Sequence, residues 1–164
     1  MGEIKHNKMK IREVAVQNAV FIPAVLKFIE EGNTVTIPLK GFSMRPFLED
    51  GRDKALLTRV GELHAGDPIL ALVDHKRYVL HRIVKIEGDN MTLLGDGNLR
   101  PEHCKTGDAV AAVVGFYRKG RTKLDPINGR KWKTYSWTWM HLRPIRRWLL
   151  AFYRHLWIPV FGAA

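Results

Sequence analysis

The 164-residue chain reads as a mainly β protein: a small, twisted, barrel-like domain with one helix before it and an amphipathic helix after it. Three observations carry that expectation. From residue 33 to residue 119 the apolar pattern repeats with a period of two, as it does in strands. The alternating runs are short and separated by Gly, Asp and Asn clusters, the composition of tight turns. Outside this interval the period becomes helical.

Residues 1–11 form a basic arm, and residues 12–31 read as a helix. Its apolar face contains Val14, Val16, Ala19, Val20, Ala24, Val25 and Phe28, and Gly32 suits its end. Pro23 lacks an N–H, so the helix starts near Phe21 or kinks there. Residues 1–32 are thus arm and helix, and residues 33–119 the β domain. Thr34–Leu39 is a strand, and Pro38 assigns it to an edge. A turn-rich segment, Lys40–Asp53, follows. Further strands are expected at Lys54–Arg59, Pro68–Asp74, Arg77–Ile86, Asn90–Leu94 and Asp108–Phe116. Residues 120–133 read as a basic linker with Pro126 and Gly129, and residues 134–164 as an aromatic, basic tail. Within that tail Ile145, Trp148, Leu149, Phe152 and Leu156 keep helical spacing, so residues 144–158 read as an amphipathic helix.

The net charge is +11, and it is unevenly placed. Residues 1–116 hold 16 Lys/Arg against 15 Asp/Glu, whereas residues 117–164 hold 11 Lys/Arg against one acid, Asp125. Such asymmetry assigns the two parts different tasks. A single cysteine, Cys104, excludes an internal disulfide and a multi-cysteine metal site, and it fits a reducing compartment. The charged start is not of secretory type, and no run of about 18 apolar residues marks a membrane span. The chain is therefore expected in the cytoplasm or peripherally on the inner face of the membrane. No sign of a metal or organic cofactor is present.

Three elements carry chemistry. Gly41-Phe42-Ser43-Met44-Arg45-Pro46 follows a strand and enters a turn, which exposes a serine hydroxyl and can aim backbone N–H groups at an oxyanion. By itself this composition also describes an ordinary turn serine. His81 interrupts the apolar strand Val79-Leu80-His81-Arg82-Ile83-Val84 and supplies a base near neutral pH, though taken alone a half-buried histidine bonded to backbone is the better reading. Gly95-Asp96-Gly97-Asn98, followed by Glu102, suits a hairpin turn and also offers carboxylates to orient His81.

In this order, with the second element roughly forty residues after the first, the three resemble the signal peptidase I and LexA-like serine peptidases over about residues 30–118. The resemblance implies a twisted, barrel-like peptidase domain with Ser43 as nucleophile. The base is lysine in bacterial signal peptidases and LexA-like proteins and histidine in the endoplasmic-reticulum and archaeal branch, and His81 places this chain with the latter. That branch carries its aspartate a few residues after Gly-Asp-Asn-Asn. Glu102 stands at the corresponding place here, and Asp96 is the other candidate for the third catalytic member. The resemblance further implies substrate-binding or oxyanion roles for Gly41, Phe42 and Met44, beside the Ser43 N–H; Met44 suits core packing equally well.

The chain departs from the pattern in three ways. Gly51-Arg52-Asp53 stands where Gly-Asp is usual, no membrane-spanning helix is present, and about forty residues before Ser43 leave no room for a DNA-binding domain with a self-cleavage site. It resembles the small stand-alone members of this kind found in bacteria.

The expected function is therefore an endopeptidase that cleaves a leader or signal-like segment. Two alternatives stand beside it: a non-catalytic peptide- or membrane-binding module that keeps the fold, and a nucleic-acid-associated regulator favoured by charge. All five tryptophans lie at 132–157, interleaved with Arg143, Arg146, Arg147, Arg154 and His155. That composition fits an anionic membrane surface, nucleic acid, or packing back onto the β domain.

Overall fold

The structure, a computed structural model, describes residues 18–162. The basic arm and the start of the expected first helix, residues 1–17, lie outside the described residues. Helix α1 covers Asn18–Glu30 and continues through Pro23. Its buried positions are Ile22, Val25 and Ile29, three residues spaced for one helical face. Phe28, expected on that face, is 57% exposed, and Ala24 is exposed as well. The segment is apolar at most positions, so its pattern fits several phases, and contact with the sheet selects one.

The strands are β1 (Val35–Pro38), β2 (Lys54–Thr58), β3 (Pro68–Val73), β4 (Arg77–Glu87), β5 (Asn90–Leu94), β6 (Glu102–Lys105), β7 (Ala109–Tyr117) and β8 (Leu124–Pro126). They form one curled antiparallel sheet in the order β1-β2-β7-β3-β4-β5-β6, a half-barrel, with β8 beside the far end of β7. All six expected strands are present, each within two residues of its expected bounds. β1 is an edge strand, as Pro38 requires. Two short strands were not expected from the sequence. β6, Glu-His-Cys-Lys, has no apolar alternation, and β8 lies in the segment read as a linker. Pairing with β5 and β7, respectively, makes them strands.

The sheet buries both of its faces. In β3, Leu70 packs with α1, β1, β2 and β7, while Ile69, Ala71 and Val73 pack with Ile83, Met91 and Leu93. This is the period-two alternation used on two cores at once.

The tail departs furthest from expectation. Helix α2, Arg130–His141, starts inside the expected linker and packs on the β domain through Trp132, Ser136 and Trp139. A 3-10 turn at Arg143–Ile145 leads into α3 (Arg146–Phe152), a π turn (Tyr153–Trp157) and α4 (Ile158–Phe161). The residues this rod buries are Arg146, Leu150 and Tyr153. Of the apolar stripe read from the spacing, Ile145, Trp148, Phe152 and Leu156 are all exposed. Polar contacts override apolar spacing here, because Arg146 donates to the Trp139 carbonyl at 3.1 Å and Arg154 to the Gly97 carbonyl at 2.8 Å. Among the described residues no helix is long and apolar enough to cross a membrane.

One buried ion pair joins β4, the 95–98 turn and α2. Arg82 and Asp96 are both fully buried and meet through two hydrogen bonds of 2.9 and 2.7 Å. Arg82 also donates to the Gly66 carbonyl at 2.9 Å and to the Ser136 hydroxyl. Tyr135 donates to Asp96 at 2.9 Å, and the Trp139 indole to the Asp96 carbonyl at 3.0 Å. Removing one member strands the other in low dielectric. Arg82→Met is expected to destabilise the fold by about 3–5 kcal/mol in urea unfolding, and Arg82→Met/Asp96→Asn to recover part of that loss.

Candidate active site

Ser43 sits in the turn after β1, partly buried. Its turn is fastened at several points. The Gly41 N–H donates to Asp50 Oδ1 at 2.7 Å, the Arg45 N–H to the Phe42 carbonyl at 3.2 Å, and the Gly97 N–H to the Ser43 carbonyl at 2.7 Å. Asp53 is fully buried behind this turn. It accepts from the Glu49 N–H at 2.9 Å, the Lys119 N–H at 2.8 Å and the Arg52 guanidinium. Burial alone raises the Asp53 pKa, but the hydrogen bonds from Arg52, Lys119 and Glu49 outweigh it and hold the carboxyl below the ordinary value.

The Gly-Asp-Gly-Asn segment explains how the serine turn comes against the histidine strand. A Cβ on Gly95 would stand 2.5 Å from the Ser43 carbonyl oxygen and 3.0 Å from His81 Nε2. A Cβ on Gly97 would stand 2.5 Å from the Phe42 carbonyl oxygen. Both glycines are thus needed for close backbone approach. The Ser43 carbonyl oxygen and His81 Nε2 thus both crowd the side-chain position of one glycine, although the two residues are far apart in the chain. Among the described residues the Ser43 hydroxyl makes no hydrogen bond to the imidazole. Such bonds are often long before substrate binds.

His81 lies in β4 and is 4% exposed. Its Nδ1 is 2.8 Å from Glu102 Oε2, the side opposite Nε2. Despite this short separation neither atom makes a hydrogen bond of good geometry. Glu102 is held in turn by Arg77, which donates to Oε1 at 2.9 Å. Burial lowers the His81 pKa; Glu102 and then Asp96 raise it, and the net value stays below the ordinary histidine value of 6.5. The imidazole is therefore neutral at pH 7 and free to accept a proton.

The two carboxylates left open by the sequence occupy different places. Glu102 adjoins the His81 ring, whereas both Asp96 oxygens are engaged by Arg82 and one also by Tyr135. The N–H groups of Phe42, Ser43 and Met44 donate to no protein acceptor among the described residues, while that of Gly41 is taken by Asp50. Phe42 is 53% exposed, with the Arg45 guanidinium 4.0 Å from its ring centre. Met44 belongs to the core and also lines, with Ser43, a groove of about 160 Å³. Ile22, Ile37, Leu39, Leu70 and Leu80 supply the apolar walls of that groove.

Cys104, in the neighbouring β6, is a poor nucleophile, because burial pushes its thiol up to about 11. Among the described residues no group of three His, Cys, Asp or Glu side chains is placed to hold a metal.

Sequence reasoning passed over Arg77, Arg82 and Tyr135. Arg82 carried a readable signal, since a charge inside an apolar strand demands a buried partner. Tyr135 and Arg77 carried none, because their partners lie 39 and 25 residues away.

The His81 imidazole is expected to titrate below 6.5 by NMR, and Glu102→Gln to move the midpoint lower still, since it removes a charge that favours the imidazolium. A midpoint unchanged by that substitution would separate Glu102 from His81. No family model and no curated protein matches the chain, so its function is argued from the residues and geometry of this site.

Proposed function

We propose that the protein is a serine endopeptidase of signal-peptidase-like type, with Ser43 as nucleophile and His81 as general base. The observation that carries this reading is the approach of the Ser43 turn to the His81 ring, since the Ser43 carbonyl oxygen and His81 Nε2 stand 2.5 and 3.0 Å from the place a Gly95 Cβ would take, with Glu102 at 2.8 Å from the opposite ring nitrogen. That is the order of a nucleophile, a base and a carboxylate that orients the base.

In the proposed reaction an extended peptide lies in the groove beside the free edge of β1, where main-chain pairing gives register. Ser43 Oγ attacks the scissile carbonyl carbon as His81 Nε2 takes the hydroxyl proton. The developing oxyanion accepts from the free N–H of Ser43 and from that of Phe42 or Met44. The C–N bond then breaks, and His81 returns its proton to the leaving amine. Water, deprotonated by His81, hydrolyses the acyl ester and restores Ser43. Glu102 stabilises the imidazolium formed in each half of the reaction. The apolar groove suits a leader or signal-like segment, in keeping with the sequence resemblance.

A peptide library read by mass spectrometry tests this directly. Ser43→Ala and His81→Ala are each expected to lower cleavage by roughly 10³-fold or more. Cleavage is expected to rise with pH through an acidic limb below 6.5, because the working form of His81 is the neutral one. Undiminished cleavage by Ser43→Ala overturns the reading. Binding of peptides in the groove without cleavage by the wild type favours the non-catalytic module.

A further inference from the structure

Arg146, at the start of α3, is 2% exposed. Of its guanidinium nitrogens only Nη2 has a partner, the Trp139 carbonyl, while Nε and Nη1 are buried without one. A carboxylate that acts on it, Asp96, has both oxygens engaged by Arg82 and Tyr135. Burial depresses the Arg146 pKa below the ordinary arginine value. A buried guanidinium with two idle donors is unfavourable until an anion meets it.

Arg146 also lines a cleft of about 320 Å³. Leu94, Leu99 and Pro101 form one wall, and Arg143, Arg146 and Arg147 the other; no carboxylate lines it among the described residues. Elsewhere on its surface the same rod exposes an apolar row: Trp148 at 73%, Phe152 at 54% and Leu156 at 58%.

We propose that this cleft holds the phosphate of an anionic phospholipid headgroup, with the exposed row of the rod resting in the lipid interface. The guanidinium fork fits phosphate oxygens in a bidentate manner. Tryptophan and phenylalanine beside arginine suit the headgroup level of a bilayer. The 11 Lys/Arg against one acid in residues 117–164 draw that side toward an anionic surface. A nucleic acid offers the same phosphates and bases to stack on Trp148 and Phe152, but it leaves the aliphatic Leu156 in water. The proposal is independent of the chemistry at Ser43.

The test uses the full chain. Vesicles of phosphatidylcholine, with or without phosphatidylglycerol, are sedimented with wild type, Arg146→Met, Trp148→Ser and, as a charge control, the exposed Arg121→Met. Thermal unfolding is followed with and without inorganic phosphate.

Wild type is expected to sediment only with the anionic vesicles. Arg146→Met should bind them about tenfold or more weakly, and Arg121→Met within about twofold of wild type. Phosphate should raise the melting temperature of wild type and of Trp148→Ser but not of Arg146→Met, and Trp148→Ser should lose vesicle binding. Arg146→Lys, which keeps the charge and loses the fork, should also bind weakly, and it serves if Arg146→Met does not fold. Equal losses in Arg146→Met and Arg121→Met overturn the site in favour of diffuse charge. A phosphate-induced shift without vesicle binding overturns the lipid source in favour of a soluble phosphate. Preference for a single-stranded RNA over the vesicles overturns it in favour of nucleic acid.

Discussion

The Arg82–Asp96 pair is the contact on which the arrangement of the site depends. Its two hydrogen bonds lie where side chains from β4, the 95–98 turn and α2 converge, and both residues are fully excluded from solvent. Its strength is conditional. A buried pair gains little over apolar packing, yet each partner without the other is severely disfavoured. The pair therefore acts as a specificity device: chain arrangements that separate β4 from the Gly-Asp-Gly-Asn turn leave a charge unpaired in the core. Ser136 and Tyr135 extend the same network into the tail, so α2 belongs to the support of the site rather than to a separate appendage.

With that turn held, two glycines bring the serine segment in. Gly95 and Gly97 let the carbonyls of Ser43 and Phe42 approach to distances that no Cβ tolerates. Arg154 closes the far side through the Gly97 carbonyl. The burial that makes this region rigid also determines the protonation of His81. Removal from water disfavours the imidazolium more than Glu102 and Asp96 favour it, which keeps the ring a base. Packing and acid–base chemistry thus have a common origin in this half of the sheet.

The tail shows how polar contacts override an apolar pattern. A helical stripe of Ile145, Trp148, Phe152 and Leu156 is a reasonable inner face by spacing alone, but the rod instead buries Arg146, Leu150 and Tyr153. Turning the other face inward would break the donations of Arg146 and Arg154 to backbone carbonyls. The outcome is an exposed apolar row and a basic cleft on the same rod, and an arginine with two donors that meet no protein acceptor.

Local chemistry made much of this readable from the sequence. The period-two runs and their turn residues located six strands closely, because alternation and turn composition are properties of neighbouring residues. Pro38 marked an edge for the same reason. The candidate residues Ser43, His81 and Glu102 were also legible, as residue types in a familiar order. Three things were beyond reach. β6 and β8 owe their conformation to pairing partners rather than to their own composition. The phases of α1 and of the C-terminal rod were selected by contacts with distant strands and loops. The separate places of Glu102 and Asp96 were decided by Arg82, whose side chain takes Asp96 and leaves Glu102 beside the histidine ring. The sequence by itself determined the strands and the chemical inventory, because these follow from short-range periodicity and residue type. The tertiary structure alone decided which groups meet, because burial and pairing depend on residues brought together from across the chain.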